Sequence, residues 1–296
     1  TAPRDAWLSQ EAGPKKARVF GFHRGMDTWG AAIGPLLALI YLLNNPNDYA
    51  TLFLLAFLPG MLSVALLLTL REKPSTTTIG KRAGFLSYLS YWKEAPSAFR
   101  KMVPALLLFT LFNSSDIFLL LMARNALEGS YVSMLGRSIS ADAWVIGAYI
   151  LYNAVYALTA YPLGRIAERI GTRAIIGFGF LVFAGVYVGF ARKPDPQQLL
   201  LLFALYGIYA AATEGMIKAW ITEQVPTEKA ATALGFYTSL ESVSIWFASG
   251  IAGMLWTYGN ASLPFYCSAV VAFITGLYVS SMFNVQQPPA GGQVQR

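Results

Sequence analysis

The chain of 296 residues is 55% hydrophobic and 12% charged, with a mean hydropathy of +0.49 and a formal charge of +7. Soluble proteins carry about 25% charged residues, so this composition cannot cover a water-facing surface and excludes an ordinary pair of soluble domains. The basic excess falls in selected loops rather than on one patch, which excludes a nucleic-acid partner and makes the charges topology determinants of a polytopic membrane protein.

In chain order, apolar segments run approximately over 19–43, 49–70, 103–123, 143–163, 174–190, 197–221, 230–258 and 262–283. These are about eight spans, most of them long enough to cross a hydrocarbon core about 30 Å thick. Punctuating clusters such as Asn44 to Asp48 and Lys193 to Pro196 reverse the chain between consecutive helices. The longest interruption, 71–101, carries seven basic residues (Arg71, Lys73, Lys81, Arg82, Lys93, Arg100 and Lys101) and the stretch GFLSYLSYWK. That pattern suits a linker with an amphipathic helix on the membrane surface. Residues 288–296 read as a disordered tail. About 18 Lys and Arg fall on the side of Thr1, the linker and the C-terminus, against about 4 on the other side. The first side is therefore expected to be cytoplasmic, in a plasma (bacterial inner) membrane.

One cysteine (Cys267) and one histidine (His23) leave too little for a disulfide framework or a Cys/His zinc site, and no cofactor or metal is expected. The motifs HExxH, GxSxG, GxxxxGK[ST] and GxGxxG are absent, which removes the common motif-based enzyme readings, and an enzyme is not expected.

The most informative feature is an internal repeat. Residues 4–27 (RDAWLSQEAGPKKARVFGFHRGMD) resemble residues 217–241 (IKAWITEQVPTEKAATALGFYTSLE), about 214 positions later, and the spans that follow keep nearly the same offset. Parallel repeats of this kind mark transporters built from two related six-helix halves. The offset predicts about 110 further residues and four further helices upstream of Thr1. On that reading, 1–70 holds the last two helices of an N-terminal half, 71–101 the linker, 102–287 a C-terminal six-helix bundle and 288–296 the tail.

Residues 161–173 read YPLGRIAERIGTR between two spans on the expected cytoplasmic side. This resembles the G-x-L-a-D-R-x-G-R-[RK] loop of the major facilitator superfamily, with Gly164, Ile166, Ala167, Glu168, Arg169, Gly171 and Arg173 in register. Glu168 stands for the usual Asp, and Thr172 for the first basic residue of the final pair. The stretches TAPRDAW, FGFHRGMDTWGAAIGPLLA, FNSSDIFLLL and ATEGMIKAWITEQVPTEKAATALGFY are similar to a group of bacterial permeases of that superfamily. KAATA at 229–233 departs from the basic-Gly-Thr-Ala pattern there. The resemblance implies an all-α integral membrane protein with a twelve-helix alternating-access fold, the spans here being helices 5 to 12. In such a fold the first, fourth, seventh and tenth helices line the cavity.

Acids inside spans are costly, so each needs a partner, a wet cavity or a proton. Asp27 has Arg24 and His23 one turn before it, a pairing that reads either as structural or as a gate. Glu214 and Lys218 are spaced i,i+4, the better orientation for an ion pair within one helix. Asn113 and Asp116 share a face of the seventh helix near its middle, with only Ser114 and Ser115 between them, which makes Asp116 the first choice for coupling or substrate-cation binding. Glu241 is the repeat equivalent of Asp27 but has Thr238 and Tyr237 where Asp27 has Arg24 and His23. The candidate cavity or coupling set is thus Asp116, Asn113, Glu214, Lys218 and Glu241. The candidate gate set is Arg24, Asp27, His23, Gly164, Glu168, Arg169, Gly171 and Arg173, with Glu168 expected against the start of the 19–43 span near Arg18. The expected activity is secondary active transport of a small solute, proton coupled, with the lipid bilayer, the solute, protons and the missing four helices as partners. A non-transporting membrane scaffold or partner-binding subunit is the alternative.

Overall fold

The computed structural model describes residues 2–69, 90–127, 132–134 and 137–282. Among these residues eleven α-helices follow in order: α1 (Ala2–Ala12), α2 (Lys16–Asn44), α3 (Tyr49–Leu68), α4 (Tyr91–Glu94), α5 (Ser97–Phe112), α6 (Ile117–Ala126), α7 (Ala141–Ile170), α8 (Thr172–Ala191), α9 (Pro196–Glu223), α10 (Ala230–Met254) and α11 (Leu263–Ser281). Between α6 and α7 a small antiparallel hairpin, β1 (Val132–Met134) with β2 (Arg137–Ile139), pairs Val132 with Ile139. It is the one departure from an all-α chain among the described residues. The amphipathic stretch proposed for the linker lies mostly outside the described residues, as does the 288–296 tail. The described end of the linker is already helical: Tyr91 on α4 is buried and Trp92 stacks on Phe236 at 5.8 Å. Arg100 and Lys101, expected in the linker, stand on α5.

Helix starts follow local chemistry. Ser140 caps α7 by accepting the Ala143 N–H at 3.3 Å, and Asp195 with Gln198 forms a reciprocal capping box at α9, with Pro196 at the first helical position. Among the described residues, seven helical passages are long and apolar enough to cross a membrane, counting α5 and α6 together. The eighth long helix, α10, has 25 residues but is diluted by Thr238, Ser239, Glu241, Ser242 and Ser244. Eight spans were expected, and α10, which corresponds to the 230–258 span, is more polar than the other seven.

Lipid tails are as apolar as Leu, so close packing of small residues and aromatic contacts holds such a bundle together more than water exclusion does. α2 packs chiefly on α7, α8 on α9 and α11, and α9 also on α7. The interior between α8, α9 and α11 is aromatic: Phe180, Phe183, Tyr187, Phe190, Phe203 and Phe265 are fully buried. By contrast α3 exposes Phe53, Leu54, Phe57, Leu58 and Leu62, an apolar surface suited to lipid or another helix. The α2–α7 crossing needs glycine at position 164, where an added Cβ would stand 2.7 Å from the Ala17 carbonyl oxygen.

Candidate functional site

The span expected to run unbroken from Val103 to Ala123 is interrupted in its middle. α5 ends at Phe112, residues 113–115 are not helical, and α6 restarts at Ile117. The cause is local: Asn, Ser, Ser and Asp in succession have short polar side chains that compete for backbone partners. Ser115 Oγ accepts the Ile117 N–H at 3.4 Å, and Ser268 on α11 hydrogen-bonds the Phe112 carbonyl that the break leaves free. Asn113 and Asp116 therefore do not share one helical face. They are brought together instead by aromatic neighbours.

Those neighbours are a tyrosine cluster that the sequence reading missed. Tyr206 on α9 donates to Asp116 Oδ1 at 2.7 Å. Asn113 Nδ2 donates to the Tyr209 hydroxyl at 3.3 Å, and the Tyr187 hydroxyl donates to Asn113 Oδ1 at 3.4 Å. Tyr152 on α7 lies 5.1 Å from Tyr206, and Phe183 stacks on Tyr187 at 3.8 Å. Such aromatic pairs contribute about 0.5 to 1.5 kcal/mol each and hold the hydroxyls in place. The signal that could have found them is the spacing of Tyr152 with Tyr156 and of Tyr206 with Tyr209, one turn apart on apolar helices. Asp116 remains half-buried, and among the described residues no cationic side chain forms an ion pair with it.

Glu214 and Lys218 do not pair. Lys218 reaches across to Asp5 on α1, Nζ to Oδ2 at 2.6 Å, with both side chains buried. The physical reason is position: α1 docks beside α9 and α10 and brings the Asp5 carboxylate to within 2.6 Å of Lys218, a closer partner than Glu214 on its own helix. Asp5 and Lys218 are equivalent positions of the repeat, each followed by Ala-Trp, so the two copies meet each other here. Burial alone would raise the Asp5 carboxyl, but the Lys218 ammonium and Arg4 hold it below the usual carboxylate value. Glu214 instead accepts from the Tyr156 hydroxyl at 2.8 Å and lies 3.8 Å from Arg24 of α2. Arg24 is also 3.8 Å from Asp27, so the expected i,i+3 pair forms, and Arg24 joins the gate set to the cavity set. Glu241 accepts from Tyr237 at 2.8 Å, the hydroxyl standing where the other repeat has His23. The ranking of Asp116 above Glu214 rested on a Lys218 partner, and that premise falls.

At the end of the bundle where α2 starts, the helices are tied. Glu168 takes Arg18 with both oxygens, at 3.1 Å from Nε and 3.0 Å from Nη2. Lys16 Nζ donates to the Thr222 carbonyl at 2.6 Å, and Thr172 donates to Glu223 at 2.8 Å. Gly164, Glu168 and Arg169 belong to α7 itself rather than to a loop; only Gly171 makes the turn, at φ 96°, a conformation that favours glycine. Arg169 and Arg173 form no ion pair among the described residues and stand apart from the acids of the interior.

The geometry is that of interrupted and close-packed membrane helices around buried carboxylates, and the comparisons with known proteins agree with it. The model of the Major Facilitator Superfamily matches residues 117–296. The chain belongs to the Major Facilitator Superfamily. It is 33% identical over 279 residues to an uncharacterised MFS-type transporter of Methanocaldococcus jannaschii, an alignment covering 94% of this chain and 67% of that protein. It is 30% identical to the D-galactonate transporter of Escherichia coli and 31% identical to the puromycin resistance protein of Streptomyces alboniger, over 52% and 47% of this chain. Those two alignments span only 33% and 27% of the relatives' own lengths. In fold it matches the fucose:proton symporter of E. coli with a TM-score of 0.67 at 13% identity, over 95% of this chain and 73% of the symporter. It is a multi-pass membrane protein of a transporter family.

Proposed function

We propose that the chain forms part of a secondary active transporter that moves a small solute by alternating access with proton coupling. The observation that carries this reading is Asp116: a carboxylate at a break in a membrane-spanning helix, held by a neutral tyrosine hydroxyl and without a cationic partner among the described residues. An acid with a neutral donor at mid-span can exchange a proton or face a cation, whereas a purely structural acid would be neutralised by a fixed base. One relative is named as a transporter of D-galactonate, and the name of the structural neighbour couples fucose to protons. In this reading α2 and α3 are the fifth and sixth helices, α5 with α6 the broken seventh, and α7 to α11 the eighth to twelfth. The preceding four belong to the same protein, in a bacterial inner membrane with the C-terminus cytoplasmic.

The test uses the complete gene product in proteoliposomes containing a pH-sensitive dye, challenged with D-galactonate, fucose and puromycin. At least one solute should move protons, and Asp116→Asn, which keeps shape and hydrogen bonding but removes the charge, should abolish that movement. Solute-driven proton flux unchanged in Asp116→Asn overturns the coupling role.

A further inference from the structure

Arg24 stands between two carboxylates. Its Nη1 is 3.8 Å from Glu214 Oε2 on α9 and 3.8 Å from Asp27 Oδ2 on its own helix. Neither contact is a close hydrogen bond, so neither acid holds the guanidinium outright. The neighbouring groups are otherwise committed. Lys218 is bound by Asp5, Tyr156 donates to Glu214, Tyr206 donates to Asp116 and Tyr237 donates to Glu241. Glu214 also faces Tyr152 on α7, Tyr209 on its own helix and the carboxylates of Asp116 and Glu241, while Asp5 on α1 faces Arg24, and His23 beside it on α2 faces Arg4. Arg24 is thus the cation shared between an acid of α9 and an acid of α2, at a crossing where Phe20 and Arg24 lie against Gly215.

We propose that Arg24 is an internal counter-ion held by Glu214 when Glu214 is ionised and passed to Asp27 when a proton neutralises Glu214, so that the charge of Glu214 sets how firmly α2 is held to α9. This rests on the transport reading above and adds to it the residue through which a proton loosens the tied end of the bundle. With Glu214 charged, Arg24 bridges two helices. With Glu214 neutral, the attraction across the crossing is gone and the pair within α2 remains, so of the polar ties of α2 at that end the Arg18–Glu168 and Lys16–Thr222 contacts are left, beside the packing of α2 on α7 and α9. Arg24 acts here as a positioning residue, and its partner's protonation is the signal.

The experiment needs neither solute nor gradient, so it is independent of whether transport is observed. In opened membrane sheets carrying the complete protein with Cys267→Ser, a single cysteine is placed at Thr222, which is fully buried at the tied end. Its labelling by an impermeant maleimide is normalised to the denatured protein at each pH. At pH about 7.5, Arg24→Gln and Glu214→Gln should each raise labelling at least about fivefold, the lower end of ordinary coupling, and the double variant no further. Lowering the pH to about 5.5 should raise labelling of the parent and of His23→Gln but not of Glu214→Gln. Adding Asp27→Asn to Glu214→Gln should leave labelling at the Glu214→Gln level, since Asp27 lies on α2 itself and takes no part in the attraction across the crossing. Arg24→Lys and Glu214→Asp, which keep the charges, should stay close to the parent, and a control cysteine at the buried Ala148 should stay unlabelled throughout. Effects that multiply in the Arg24/Glu214 double variant, a pH response that survives Glu214→Gln, or charge-retaining variants that label like the Gln variants overturn the proposal.

Discussion

Removing the carboxylate of Asp5 should release α1 from the bundle. Asp5 and Lys218 meet at 2.6 Å with side chains only 2% and 11% exposed. At an effective dielectric of 20 their attraction is about 6 kcal/mol, much of it offset by the several kcal/mol needed to dehydrate each ion. The net worth of the pair is therefore small, but Asp5→Asn leaves Lys218 buried without its charge partner, a loss of about 3 to 5 kcal/mol. Because α1 is short, the loss appears as local undocking, and amide exchange across α1 in detergent should accelerate by roughly two to three orders of magnitude at about 1.4 kcal/mol per tenfold. Replacing both partners, with Asp5→Leu and Lys218→Met, should recover most of the protection, since no ion is then stranded. The folded Asp5 carboxyl titrates below its unfolded value of about 3.9, so its contribution is complete above that pH and disappears as pH falls through the folded value. The gap between wild type and Asp5→Asn should therefore hold from neutrality to about pH 4 and close below it. An exchange change under tenfold, or a double variant as poorly protected as Asp5→Asn, refutes the reasoning.

Glu168→Gln removes the charge that takes Arg18 with two oxygens, and a cysteine at Thr222 should label faster; unchanged labelling leaves Glu168 a surface acid. Gly164→Leu puts a side chain where a Cβ alone would be 2.7 Å from the Ala17 carbonyl, so α2 must shift, with a stability loss of about 1 to 3 kcal/mol read as a lower detergent melting temperature. A melting temperature equal to wild type would mean that α2 is free to move away from α7. Ser268→Ala leaves the Phe112 carbonyl without its side-chain partner at the helix break, and a loss of about 1 to 3 kcal/mol is expected in the same assay; no loss would show that the break needs no support from α11.

Several features were readable in the sequence because they depend on composition and local order. Runs of about 20 apolar residues have one stable form in a bilayer, the helix, since every backbone polar group must be satisfied within the segment. The repeat, the turns and the family motif are likewise linear patterns, and Arg24 with Asp27 is a pair that helical spacing alone predicts. The same rule of spacing misplaced Glu214 and Lys218. An i,i+4 pair forms only if no better partner arrives from elsewhere, and Asp5, more than 200 residues away in the chain, arrives. The helix break at Asn113 was legible as a cluster of polar residues, yet whether such a cluster bends, breaks or stays helical depends on whether the freed groups find partners. Here Ser268 from α11 takes the freed Phe112 carbonyl, and the tyrosines of α8 and α9 take the side chains of Asn113 and Asp116. What the sequence determined by itself was therefore the class of the protein and its list of costly charges. Which charge faces which partner was decided by the packing of α1, α2, α7 and α9, because in a medium of low dielectric each ion is satisfied by the nearest complementary group in space rather than along the chain.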